Sequence, residues 1–190
     1  MQRDSNTLEV RHAFGILFIA VSIAVGAATV VGEIAYVSKA PLYYYAIIWI
    51  ASFSLTFGAI FRKSRKMISS IFSRMKNSIQ WPTNAKAVNG LCWASPFAVI
   101  PLFPHIYHYL ILLGIGSGNL STYLLMKKYS NTNNREQMIV GLISLLAIPI
   151  ALSIDMTIFI SRQDLAILLS RIFISMAYGI GGTYAIISKA

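Results

Sequence analysis

Glu33, Asp155 and Arg171 are ionisable side chains set inside long apolar stretches, and His105 and His108 stand at the edge of another. An ionisable group at the centre of a membrane helix costs about 2.5–3.5 kcal/mol on insertion scales, so each one calls for a partner or a task. Asp155 lies eight residues before Gln163, near the tip of the last apolar hairpin, and Arg171 eight residues after it. Equal distance from the tip puts them at matching depth on antiparallel neighbours, which predicts a salt bridge; such a pair can simply fix helix register. Glu33 has no comparable mate. Beside Gly32 and one turn from Thr29, it can snorkel to outer water, face a cavity, or pair with Lys39 or Arg171. Its functional reading is a carboxylate that binds a cation or exchanges a proton, and Asn119, in the stretch 118–123 that parallels 32–36, joins Glu33, Asp155 and Arg171 as a candidate substrate- or ion-binding residue. His105 and His108 are three residues apart, a spacing that places both on one side of a helix. With Glu33, Asp155 and Asp164 near in depth they suggest a metal site or a pH-sensitive outer gate; the plainer reading is interfacial histidines without ligand duty.

The elements that must position these groups are six apolar segments, 13–38, 42–61, 87–103, 107–126, 138–160 and 165–188. A run of about 20 apolar residues spans the roughly 30 Å hydrocarbon layer as a helix. The expected fold is therefore an all-α integral membrane protein, one transmembrane domain over 1–190 formed as a six-helix bundle. Nearly all Lys and Arg fall on the N-terminus, the C-terminus and the connections 62–86 and 127–137, against Lys39 and Arg162 on the other side. The positive-inside rule then puts both termini in the cytoplasm and the multi-pass chain in the cytoplasmic membrane. Over 62–80, Ile68, Ile71, Phe72, Met75 and Ile79 share one stripe of a helical wheel, with Arg62, Lys63, Arg65, Lys66, Arg74 and Lys76 opposite. That pattern predicts an amphipathic helix lying on anionic lipids at the cytoplasmic face, or else a helix capping the bundle's end. Pro96 and Pro101 predict that the third span is bent or broken, with a freed carbonyl in need of a new partner.

Small residues recur every fourth position at Ala20, Ala24, Ala28 and Gly32, at Gly114, Gly118 and Thr122, and at Ser175, Gly179 and Thr183. Such stripes let helix backbones approach closely, either in a tight core or in a homo-oligomer contact. The paired stretches 32–36 and 118–123 also fit a three-plus-three inverted repeat, which in transporters brings interrupted helices to the binding site.

At 56% hydrophobic and 12% charged, the chain is far from the roughly 25% charge of a soluble domain, and the spans leave no room for one. The net charge of +10 is accounted for by basic connections facing an anionic leaflet, so no nucleic acid partner is expected. Cys92 is alone, which excludes intrachain disulfides and cysteine zinc sites. The first apolar segment is longer than a signal-peptide core and reads as a retained anchor. The Gly-Ile-Gly-Ser-Gly run from Gly114 lies within an apolar span without a preceding strand, so it is not a phosphate loop. There is no His-Glu-x-x-His, Gly-x-Ser-x-Gly or Walker motif, and no cofactor is implied. The leading expectation is a small transporter or channel-like protein for a solute or ion. The alternatives are a non-catalytic subunit of a larger membrane complex, with the small-residue stripes as partner contacts, and a membrane enzyme or metal protein using His105, His108, Glu33 and Asp155.

Overall fold

A computed structural model describes residues 2–63, 81–131, 133–157 and 163–188, and its regular elements there are all helical. They are α1 (Gln2–Val37), α2 (Tyr43–Lys63), α3 (Thr83–Val99), α4 (Tyr107–Tyr129), α5 (Arg135–Thr157) and α6 (Gln163–Ile187), with a 3-10 turn, Pro104–Ile106, leading into α4. All but α3 are long and apolar enough to cross a membrane. At 17 residues α3 falls short of that length. Arg62 and Lys63 close α2, whereas Arg65, Lys66, Arg74 and Lys76, and with them the expected interfacial helix, lie outside the described residues.

The helices form an antiparallel row in the order α2, α1, α6, α5, α4, α3, drawn together by a lighter contact between α4 and α6. Direction follows from the glycines: a Cβ on Gly15 would meet Gly182 and one on Gly26 Ser175, one on Gly141 would meet Leu120 and one on Gly116 Leu145, and one on Gly114 would meet Phe97 and one on Gly118 Trp93. The small-residue stripes thus face partners within the chain except at Thr183, which is exposed. Ala20, Ala24 and Ala28 are fully buried, and Ser22 and Ser175 pin the α1–α6 crossing reciprocally, each hydroxyl donating to the other residue's carbonyl at 2.7 and 2.9 Å. On α4 the Gly114 and Gly118 faces receive the Phe97 and Trp93 rings of α3. Where lipid removes the hydrophobic drive between helices, this close packing and these hydrogen bonds supply the association.

Helix α3 runs through Pro96 and ends at Val99, so it is not broken at that proline. Pro96 offers no N–H to the Cys92 carbonyl one turn back, and the Ser117 hydroxyl of α4 donates to that carbonyl instead at 2.8 Å. Two further devices set the ends. Helix α1 stops in a left-handed Lys39 (φ 54°), with Lys39 N–H donating to Tyr36 and Ala40 N–H to Ala35, both at 2.9 Å. This paired closure satisfies the last carbonyls and turns the chain tightly into α2. At the other end Trp81, buried, donates to Ser130 at 3.3 Å and fastens the entry of α3 to the exit of α4.

The core gathers Phe18, Val25, Leu112, Val140, Ile174 and Tyr178, with Phe18 and Tyr178 packed edge to face at 5.3 Å. Arg11 of α1 and Glu136 of α5 form an ion pair at 3.6 Å at the basic end of the row, Glu136 being 2% exposed. Arg11 also lies over the Tyr184 ring of α6 at 5.2 Å, so one guanidinium joins three helices. The sequence leaves Arg11 on the N-terminal segment before the first expected span and Glu136 in the connection 127–137. A carboxylate at the edge of a hydropathy window reads as loop, yet Glu136 occupies the first turn of α5, where negative charge suits the helix dipole.

Candidate functional site

At the end of the row away from the basic connections, an inner cavity of about 560 Å³ opens between four helices. Its walls are Val21 and Val25 of α1, Trp49 and Phe53 of α2, Tyr107, His108, Ile111 and Ile115 of α4, and Ser170, Arg171, Ile174 and Tyr178 of α6. This is the volume of a site for one small organic molecule, mostly apolar with a few convergent polar groups. Arg171 is the charged member. Its guanidinium lies 5.7 Å from the Trp49 ring centre and donates to the Tyr107 hydroxyl at 3.5 Å, the long limit of a hydrogen bond. Ser170 satisfies its hydroxyl on the Ala166 carbonyl at 2.9 Å. His108 is 3% exposed, and neither ring nitrogen has a hydrogen-bond partner among the described residues. At the deep end the Tyr178 hydroxyl accepts from Asn119 at 3.4 Å, and Asn119 also donates to the Ile115 carbonyl at 2.9 Å.

A second, outer cleft of about 570 Å³ lies beyond it and is lined by Glu33 and Tyr36, Tyr45, Gln163 and Asp164, and again Tyr107 and Arg171. Tyr107 and Arg171 line both spaces. Read inward, the site presents carboxylates, then a guanidinium with a phenol, then an aromatic and aliphatic chamber.

Several expected residues converge here and others part. Glu33 and Arg171 share the outer cleft, and Asn119 braces the chamber through Tyr178. The expected Asp155–Arg171 bridge does not form among the described residues: Asp155 accepts from Tyr109 of α4 at 3.0 Å, and Arg171 turns to Tyr107. Equal distance from a hairpin tip sets depth, but the 3.6-residue period sets which neighbour a side chain faces. His105 and His108 also separate. His105 is exposed in the 3-10 turn, its carbonyl accepting from Gln163 at 2.6 Å, while His108 is buried in the chamber wall. The turn breaks the α-helical spacing on which a shared face depends, and the described residues contain no group of three His, Cys, Asp or Glu able to hold a metal. Trp49, Phe53 and Tyr107 were not anticipated; the aromatic spacing Trp49-x-x-x-Phe53 on one face of α2 is the signal that could have found two of them. Comparison with protein-family models, curated proteins and solved structures finds no match for this chain.

Proposed function

We propose that the chain is a six-crossing transporter of the cytoplasmic membrane that takes a small organic solute carrying an anionic group into the chamber from the outer side. The observation that carries this reading is that Arg171 and Tyr107 line both cleft and chamber, a charged boundary with Glu33 on one side and Tyr178 on the other. The sixth crossing is supported by helix direction. Helices α1 and α6 pack antiparallel through Gly15 and Gly182, and that requires α3 to carry the chain across despite its length. With Arg11, Arg62, Lys86, Lys127, Lys128 and Arg135 then on one side, the positive-inside rule makes that side cytoplasmic. The basic segment 62–80 is proposed to lie against anionic lipids of the same face.

Orientation is tested in Cys92→Ala protein. Asn133→Cys should react with an impermeant thiol reagent only from the cytoplasmic side and His105→Cys only from outside; the reverse pattern, or both from one side, rejects the topology. Function is tested with Ile111→Cys, which lines the chamber. A transporter should expose it to the reagent readily from outside and, as the chamber alternates, measurably from inside. Reactivity from neither side would favour the integral-subunit reading.

A further inference from the structure

We propose that the occupant of this site is a single-chain zwitterionic phospholipid, held with its acyl tail in the chamber, its phosphate at Arg171 and its ammonium at Glu33. This names the substrate class of the site proposed above and rests on that reading.

The order of chemistry along the site is the first support. The apolar walls of Trp49, Phe53 and Ile111 line the chamber, Arg171 lines both chamber and cleft, and Glu33 lines the cleft alone. A phospholipid whose amine lies beyond its phosphate presents tail, anion and cation in that same order. The second support is the boundary between the two spaces. Arg171 and Tyr107 line both, so a guanidinium and a phenol hydroxyl converge where the phosphate would sit. Arg171, which forms no ion pair with a described carboxylate, would supply the charge. The third support is the chamber's side. Among the described residues α2 packs extensively on α1 alone, so the wall between Phe53 of α2 and Ile115 of α4 is a seam toward the bilayer and not a packed interface. A tail can enter through such a seam while the headgroup passes through the cleft to Arg171. A chamber of about 560 Å³ suits one acyl chain.

The test uses the full chain in non-ionic detergent and follows the saturable change in Trp49 fluorescence, with Trp49→Phe as the blank. The probes are lysophosphatidylethanolamine, lysophosphatidylglycerol and monoacylglycerol of one chain length, and phosphoethanolamine without a tail. The zwitterionic lysolipid should bind about tenfold or more tighter than monoacylglycerol, the scale of a charge-assisted hydrogen bond. Arg171→Gln should erase that gap and Arg171→Lys retain part of it. Glu33→Gln should weaken the zwitterionic probe several-fold and leave the anionic one unchanged. Equal affinity for lysolipid and monoacylglycerol, or a gap that survives Arg171→Gln, would overturn the proposal. Phosphoethanolamine binding as tightly as its lysolipid would overturn the lipid class and leave the solute reading standing, and saturable binding of none of the probes would remove both. If Arg171→Gln does not fold, the four probes on the unaltered protein still decide.

Discussion

Gly182→Ala protein should unfold well below the unaltered chain, and Gly182→Leu should yield no folded protein at all. A Cβ at position 182 would sit 2.8 Å from the Gly15 carbonyl oxygen and 2.9 Å from the Ile19 nitrogen, both backbone atoms of α1 that no rotamer change can move. The helices would have to separate along the crossing that Ser22 and Ser175 pin. Overpacking of this kind costs about 1–3 kcal/mol for small additions and more when backbone must shift. Gly58→Ala and Gly90→Ala are the controls. An added Cβ at either meets nothing within 4 Å, so those proteins should be as stable as the parent or gain up to about 1 kcal/mol from helix propensity. Thermal unfolding in detergent measures all four variants. Equal loss at positions 182 and 58 would mean that glycine matters here for some reason other than the α1–α6 approach.

The same glycine shows what was legible in the sequence and what was not. The stripes through Ala24 and Gly179 announced close helix contacts because small side chains at every fourth position have no better explanation in an apolar segment. They did not say that the contacts lie within the chain. Partner choice depends on which faces meet, and that is decided by packing across residues far apart in sequence. Helix existence was read from hydropathy alone, and α2, α4 and α6 start and stop within a few residues of the expected spans. The start of α5 was missed by Glu136, whose charge ended the hydropathy window while its side chain went inside.

The candidate site residues divide along the same line. Glu33 and Arg171 could be picked out because charge is expensive in lipid. Their place in one cleft could not, nor could the withdrawal of Asp155 to Tyr109. Depth is encoded by counting residues from a turn, whereas facing is encoded by helix rotation, which a shift of one residue changes by about 100°. His108 illustrates the difference sharply. Its neighbour in the motif, His105, is exposed only because the chain enters α4 through a 3-10 turn after Pro104.

Arg11 and Glu136 give the second large effect. Glu136→Gln or Arg11→Gln should each lower stability by about 2–4 kcal/mol, because each leaves its partner charged in a site from which water is nearly excluded. The Glu136 side chain is 2% exposed; that of Arg11 is 19% exposed, which leaves some solvent screening and holds the estimate below the full cost of a buried orphan charge. The double variant should cost less than the sum of the singles, since neither charge then remains to be compensated. Additive losses would mean that the 3.6 Å pair contributes nothing as a pair. This tie joins α1, α5 and α6 at the end opposite the cleft, so it also bears on the transport proposed above. If passage requires that end to open, Glu136→Gln in the Ile111→Cys, Cys92→Ala protein should speed thiol labelling from the basic side while labelling through the cleft stays the same or slows. Faster labelling from both sides would indicate general loosening, and unchanged labelling from the basic side would confine Arg11 and Glu136 to a structural part.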